Sequence, residues 1–353
     1  MTSKRESGGP SLSLGKIPIG VLKSTVLRMT GAQSDAIATP PEAGLDFAAV
    51  KLNSGYMVVS ADPITGVSEE IGHYAIDVSA NDVATSGNRP QFAESIVLLP
   101  EGSTARDVRE VARQMHSEAR RLGIAIVGGH TEVTPGLGFP IVAATVFSFV
   151  ESFVSSRDAL AGDVIMMTKS AGLEGTAALA RHSSLSGRVP TGAILRAQGF
   201  RARMSVVEDS VAAFQTGYVR AMHDCTEGGV LGAVFEMSLA SGLGFVLRED
   251  AVPVANETRL ICEALALNPL KLIGSGSVLL SVKRGREARV ARALDQVCKV
   301  TTIGEFTAKS RVLVKKDGGE ETVISAPEDE LWRAWPAHLR TSPRLGHHGS
   351  RNS

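Results

Sequence analysis

The sequence predicts an α+β protein of two domains, built in the α/β manner from short apolar strands alternating with amphipathic helices. Three observations carry that prediction. Strand-like runs at 56–60, 95–99 and 124–127 are separated by segments of helical spacing. A polar break at 151–162 is followed by a second alternating set. With 353 residues, 43% of them hydrophobic, and 36 glycines, the chain has enough material for two cores and many tight strand–helix turns.

Taken in order, residues 1–13 and 340–353 are poor in apolar side chains and are expected to be disordered tails. Residues 48–52 and 56–60 flank Asn53-Ser54-Gly55 and predict a hairpin. The segment 67–86 has helical spacing, with Ile71, Tyr74, Val78 and Val83 on one side. A strand at 95–99 is closed by Pro100-Glu101-Gly102. The clearest helix is 104–122: Ser103 or Thr104 caps it, Val108, Val111, Met115, Ala119 and Leu122 form its apolar stripe, and Gly123 ends it. A strand at 124–127, a Gly128-Gly129 loop and a long buried strand at 140–150 follow.

Beyond the break, Ala161-Gly162-Asp163 turns into a strand at 164–168. The loop Gly172-Leu173-Glu174-Gly175 opens a helix at 176–181, and 205–217 is helical. An amphipathic helix at 229–240 ends at Ser241-Gly242; a strand at 277–282, a helix at 287–298 and a strand at 302–306 complete the set. In both halves helices are expected to cover one sheet face.

Charge excludes some functions. Lys+Arg and Asp+Glu balance at 37 each, so no global field recruits nucleic acid or an anionic membrane. Cys225, Cys262 and Cys298 are scattered, which argues against a disulfide framework or a zinc site. The N-terminus lacks the apolar core of a signal peptide, and the longest apolar stretch, 139–150, is too short to span a bilayer. The expected location is cytoplasmic.

Four acidic or glycine-rich segments recur along the chain. Asp62 follows the apolar run 56–59, and Asn81-Asp82 lies in an apolar helical segment. A carboxylate in such surroundings is costly unless paired or metal-bound, and Mg²⁺ with substrate phosphates is the usual solution. The bland reading makes Asp62 an Asp-Pro turn residue and Asp82 a helix-surface charge. Asp46 is a third carboxylate, placed before a strand. Gly128-Gly129, with Thr131 beside it, reads as a backbone cradle for an anion or as a structural turn. His130 is a metal or phosphate ligand, or simply solvated. Gly172-Leu173-Glu174-Gly175-Thr176 is a phosphate-binding helix start or an ordinary tight turn. Asp224-Cys225-Thr226-Glu227-Gly228-Gly229 precedes a helix, so Asp224 or Thr226 can cap it, while Cys225 reads as a small buried residue. Trp332 and Trp335 read as packing anchors.

In this order the segments resemble the superfamily of aminoimidazole ribonucleotide (AIR) synthetase, thiamine monophosphate kinase, selenophosphate synthetase and the hydrogenase maturation factor HypE. The carriers are Leu14-Gly15-Lys16-Ile17-Pro18, Gly44-Leu45-Asp46, Ser60-Ala61-Asp62-Pro63, Asn81-Asp82-Val83-Ala84, Gly128-Gly129-His130-Thr131-Glu132, Gly162-Asp163, Asp224 to Gly229 and Asn268-Pro269-Leu270. The likeness runs from about Gly15 to Phe306 and is nearest to HypE-like, AIR synthase-related proteins. It implies an AIR synthase-like N-terminal ATP-binding domain at 14–152 and an AIR synthase-like C-terminal domain at 160–312.

The resemblance implies binding of ATP with Mg²⁺ and activation of a small acceptor by phosphoryl transfer, in a homodimer formed through the N-terminal sheets. It assigns the metal to Asp46, Asp62 and Asp82, the nucleotide to Lys16, Asp62, Asn81, Gly128, Gly129 and Thr131, and catalysis to Asp82 and Asp224. One alternative is a small-molecule kinase of the thiamine monophosphate kinase type. Another is a non-catalytic, partner-binding maturation subunit. The chain departs from the HypE pattern at three places. Gly129-His130-Thr131-Glu132 replaces a Gly-Asp-Thr-Lys sequence, Gly274-Ser275-Gly276 lacks the usual acid, and no cysteine follows Cys298. It is therefore not expected to carry a thiocyanate on its own cysteine.

Overall fold

The structure, a computed structural model, describes Leu12 and residues 14–65 and 69–334. The expected tails at 1–13 (Leu12 apart) and 340–353, Trp335, and residues 67 and 68 of the predicted helix lie outside the described residues.

A short helix α1 (Ile19–Ser24) leads into a first sheet. Its strands are β1 (Ile37–Thr39), β2 (Ala48–Lys51), β3 (Tyr56–Ile64), β4 (Phe92–Leu99), β5 (Ala125–Val133) and β6 (Ile141–Val150), with helices α2 (Ile71–Ala84) and α3 (Ala105–Leu122) between them. The strands lie in the order β1-β2-β3-β6-β4-β5. The predicted hairpin forms, with β2 antiparallel to β3 and Gly55 in the left-handed region at φ 74°. The α3 start is a reciprocal cap: the Thr104 amide donates to Asp107 Oδ2 at 2.7 Å, and Gly123 ends the helix at φ 74°. Ile71, Ile76 and Val83 of α2 and Val111 and Met115 of α3 pack on Val58, Val97, Val142 and Val146 of the sheet. The opposite face, with Ile96 and Phe149, is exposed.

The second half comprises β7 (Val164–Thr168), α4 (Leu173–Leu179), α5 (Thr191–Gln198), α6 (Val207–Gln215), β8 (Val219–Asp224), α7 (Gly229–Ser241), β9 (Gly244–Arg248), α8 (Asn256–Leu265), β10 (Val278–Val282), α9 (Glu287–Leu294), β11 (Val300–Thr307), β12 (Arg311–Val314), β13 (Glu320–Thr322) and α10 (Glu330–Ala334). Its seven strands run β13-β12-β9-β11-β7-β10-β8. Here the expectation of one covered face is corrected. The α7 side buries Ile165, Met167, Leu279 and Phe245, whereas the α9 side buries Val164, Met166, Leu280 and Val282. Every residue of β7 and β10 is buried, which is why these strands read as unbroken apolar runs.

Other expectations shift locally. Gly128-Gly129 is not a loop but lies inside β5, an edge strand parallel to β4. α4 starts at Leu173, so Glu174 is already in its first turn. α9 stops at Leu294, leaving Cys298 beyond the helix.

Candidate active site

The two sheets meet where four carboxylates converge. β3 carries Asp62 on the same face as Ser60, because side chains two apart share a side. That face meets α2. The Ser60 hydroxyl donates to Asp82 Oδ2 at 2.7 Å. The Asp62 amide donates to Ser79 Oγ at 3.3 Å, while that hydroxyl donates to the Ala144 carbonyl at 2.9 Å. From the second sheet, Asp224 arrives at the end of β8 and is 1% exposed. Asp46 enters from the turn before β2. Burial, then the charges of Asp224, Asp62 and Asp46, push the Asp82 carboxyl well above the usual carboxylate range. Asp224 is raised likewise, by burial first and then by Asp46, with His223 and Lys16 pulling the other way. Oδ2 of Asp46 and Oδ2 of Asp224 are buried without a hydrogen-bond partner.

Cations close the cluster on one side. His223 Nε2 lies 3.0 Å from Asp46 Oδ1 and 3.3 Å from Glu236 Oε2, and Nδ1 lies 2.7 Å from the Asp224 carbonyl. Both ring nitrogens face acceptors only, which requires the doubly protonated ring. Burial alone would lower its pKa; Asp46 and Glu236 outweigh that and hold it well above the ordinary histidine value. Lys16 Nζ reaches Glu236 Oε1 at 3.0 Å and its backbone amide donates to Glu227 Oε1 at 2.8 Å. Its side chain is 49% exposed. Glu236 is driven down to about 2, because Lys16 and His223 overcome the effect of its burial.

Ligand atoms of Asp46, His223 and Asp224 lie within 4.8 Å of one another. With both nitrogens of His223 engaged, the donors left for a metal are carboxylate oxygens of Asp46, Asp62, Asp82 and Asp224. An all-oxygen set with mutually repelling charges and two partnerless buried oxygens fits Mg²⁺ bound with phosphates.

Not every expected ligand joins. Asn81 is fully buried with both ends of its amide engaged: Nδ2 donates to the Met204 carbonyl at 2.8 Å and Oδ1 accepts the Val206 amide at 2.8 Å. It fastens α2 to the second half of the chain. Gly128, Gly129 and Thr131 sit on the exposed strand β5. Asp62, Ala144, Ser95 and Gly129 form one row across the sheet, which puts Gly129 about 14 Å from Asp62 at the usual strand spacing. Gly129 has a structural reason to be glycine. Its φ is 151°, and a Cβ there would come within 2.2 Å of the Ser95 carbonyl oxygen. His130 pairs with Glu132 at 3.0 Å on the same exposed strand.

Two further segments sharpen the picture. Cys225 is buried, and burial with the charge of Asp224 pushes its thiol well up, so it is inert packing. The Glu174 carboxylate approaches Ser275, which brings an acid to the 274–276 turn that lacks one in sequence. Sequence reasoning assigned no role to His223, Glu236 or Glu174. Glu236 had a signal: it is the single charge in the otherwise apolar α7.

Comparison with known proteins agrees with this architecture. Residues 44–150 match the family described as AIR synthase related protein, N-terminal domain, and residues 161–316 match its C-terminal domain. A putative hydrogenase expression/formation protein of Methanocaldococcus jannaschii is 25% identical over 285 residues, spanning 76% of this chain and 81% of that protein. A carbamoyl dehydratase HypE of Cupriavidus necator is 29% identical over 279 residues, spanning 72% and 77%. Among solved structures, a hydrogenase maturation protein HypE in complex with ATP is similar with a TM-score of 0.69 at 21% identity, over 89% of this chain and 96% of that one. A ThiL protein complexed with AMPPCP and TMP gives 0.71 at 19% identity, over 90% and 98%. Both likenesses establish the fold, and the matched domains, which together cover most of the sequence, establish the lineage. The chain belongs to the AIR synthase-related family.

Proposed function

We propose that this chain is an ATP- and Mg²⁺-dependent enzyme that activates a small acceptor by phosphoryl transfer. The observation that carries the reading is the convergence of Asp46, Asp62 and Asp82 with Asp224, leaving buried oxygens of Asp46 and Asp224 without partners. Mg²⁺ bound there would neutralise charge on the phosphates. The chain's own residues supply the rest: Asp82 and Asp224 set the electrostatics of the reacting end, and Lys16 offers an ammonium to a phosphate. His223 holds Asp46 in orientation, as a hydrogen-bonded partner does for a ligating carboxylate. The ATP-binding unit is assigned to 14–152 and the second unit to 160–312. The relative named as a carbamoyl dehydratase and the similar fold solved with ATP support this reading.

A released phosphorylated product, as from a kinase, is the second reading, favoured by the fold's likeness to ThiL. We also assign a homodimer through the uncovered face of the first sheet, where Ile96 is 50% exposed and Val127 on the neighbouring edge strand 53%. No helix among the described residues is long and apolar enough to cross a membrane; a cytoplasmic location is part of the proposal.

Equilibrium binding of ATP with and without Mg²⁺, followed by a metabolite-pool screen for ADP release, tests the function. Mg²⁺-dependent binding with acceptor-stimulated ADP release is expected. No ATP binding at any Mg²⁺ concentration would overturn it.

A further inference from the structure

One end of the second sheet carries positive charge that its surroundings do not balance. Residues 283–292 hold five Lys or Arg and one acid, in a chain whose Lys+Arg and Asp+Glu are equal at 37 each. They form the turn from β10 into α9 and most of that helix. In the register of β10 with β8, Val282 stands opposite Val219 and Val278 opposite Asp224. The turn therefore lies at the other end of β8 from the acid cluster, about 17 Å away at the usual rise per residue.

Ion pairing separates the cations here into two kinds. Arg220 Nε lies 3.3 Å from Asp163 Oδ1, and Arg284 pairs with Glu305 while its Nε donates to the Gly162 carbonyl at 3.0 Å. Both hold the sheet and its turns together. Lys283, Arg286, Arg289 and Arg292 have no carboxylate within pairing distance among the described residues. Three of them are exposed, and Arg286 is half-buried. The acid of this stretch, Glu287, is engaged by the Gly285 amide at 3.0 Å.

Two of the unpaired guanidiniums are ordered by one ring. Arg286 Cζ lies 5.2 Å and Arg289 Cζ 5.8 Å from the centre of the Tyr218 ring, and Arg289 Nη1 donates to the Tyr218 hydroxyl at 3.1 Å. The Lys283 amide donates to the Tyr218 carbonyl at 3.0 Å, which ties the ring's segment to the turn. A guanidinium already ordered on an aromatic ring loses less freedom when it takes up a planar anion. The arrangement does not serve the helix. Arg286 is the N-cap of α9 and Arg289 its third residue, where the macrodipole opposes cations and like charges three apart repel. Val290 and Leu294 anchor the helix on its buried side.

We propose that Lys283, Arg286, Arg289 and Arg292 form a docking surface for an acidic segment of a partner protein. Charge complementarity selects the partner: carboxylates take guanidiniums in bidentate pairs, and each pair relieves the repulsion within the patch. Nucleic acid fits less well. It presents a long track of phosphates, whereas this patch spans one turn and an eight-residue helix on a chain of zero net charge. The Tyr218 ring is also engaged by guanidiniums where a base would stack. The surface does not depend on what the acid cluster binds.

The test measures binding of fluorescently labelled poly-L-glutamate and of labelled oligothymidylate to the full chain by anisotropy at low salt. The native chain is expected to bind poly-L-glutamate the more tightly, with an affinity that falls as salt rises. Arg286→Gln/Arg289→Gln should weaken that binding about fivefold or more, and Arg106→Gln/Arg109→Gln, on the exposed side of α3, less than about twofold. Tyr218→Leu changes no charge and should still weaken it about threefold, because the guanidiniums lose their ordering ring. Circular dichroism reports the fold of each variant; should Tyr218→Leu lose structure, the two arginine variants decide alone. Equal losses in those two variants, or unchanged affinity in a folded Tyr218→Leu, would reveal diffuse surface charge and overturn the proposal. Tighter binding of oligothymidylate overturns it in favour of nucleic acid, and a native chain that does not bind poly-L-glutamate overturns it outright.

Discussion

His223 Nε2 lies 3.0 Å from Asp46 Oδ1, with both side chains 4% exposed. This contact joins the end of β8, an edge strand of the second sheet, to the turn between β1 and β2 of the first. It also sets the charge of the whole site, because the imidazolium offsets Asp46 and Glu236 in a place where water does little screening.

Removing that cation leaves buried acids uncompensated. His223→Gln is expected to destabilise the fold by about 3–5 kcal/mol. Urea unfolding checks it, and the double variant with Glu236→Gln should recover part of the loss. A His223→Gln chain as stable as the native one would show that the ring is not charged.

A second buried cation ties α2 and α3 to the second half of the chain. Arg201 contacts Glu70 Oε1 and Glu118 Oε2, each at 3.1 Å, and is 15% exposed. Burial first, then Glu118, raises the neighbouring Asp77 to about 8, while Arg121 and Arg201 restrain it. Arg201→Met should cost about 3 kcal/mol at pH 7. The cost should grow above pH 8, because Asp77 must then ionise with one guanidinium fewer. Denaturant midpoints at pH 7 and pH 9 measure both effects.

Glu174 makes stability fall with rising pH. Its folded pKa of about 7 exceeds the ordinary 4.5, so the unfolded chain ionises first. Stability is therefore fully present below pH 4.5 and lost progressively up to about 7, on the order of 3 kcal/mol. Glu174→Gln should flatten this part of the profile and be the more stable chain at pH 8. Parallel profiles for the two chains would show that Glu174 is not desolvated.

The uncovered face of the first sheet predicts self-association. Light scattering at micromolar concentration should return twice 37.1 kDa, and Ile96→Glu should shift the mass towards one chain without loss of secondary structure. A single-chain mass for the native protein contradicts the dimer.

Much of this was legible in the sequence where local chemistry decides. α3 announces its ends through Thr104, Asp107 and Gly123, whereas β6, expected to be buried, buries only alternate residues such as Val142, Ala144 and Val146 and leaves Phe149 on the open face. Asp62 and Asp82 stood out because each is an acid in apolar company. What escaped was long-range. The Asn81 amide contacts Met204 and Val206, more than a hundred residues on, and no local pattern encodes such partners. Gly128-Gly129 misled because glycine serves a close strand approach as readily as an anion cradle. The short strands β12 and β13 lack periodicity enough to be seen. Glu174 and Ser275 lie about a hundred residues apart, so their meeting is a property of the fold alone.

The account turns on Asp82 as a ligand of Mg²⁺·ATP. Its carboxyl is crowded by Asp224, Asp62 and Asp46, so Asp82→Asn relieves repulsion while an amide oxygen can still accept from Ser60. The variant is thus expected to fold, and lost binding cannot be ascribed to unfolding. Isothermal calorimetry of ATP binding with and without Mg²⁺ on both chains is the direct measurement. The account predicts Mg²⁺-dependent binding in the native chain that is weakened at least about tenfold in Asp82→Asn, because the metal loses a counter-charge. Unchanged Mg²⁺-dependent affinity in Asp82→Asn would contradict it.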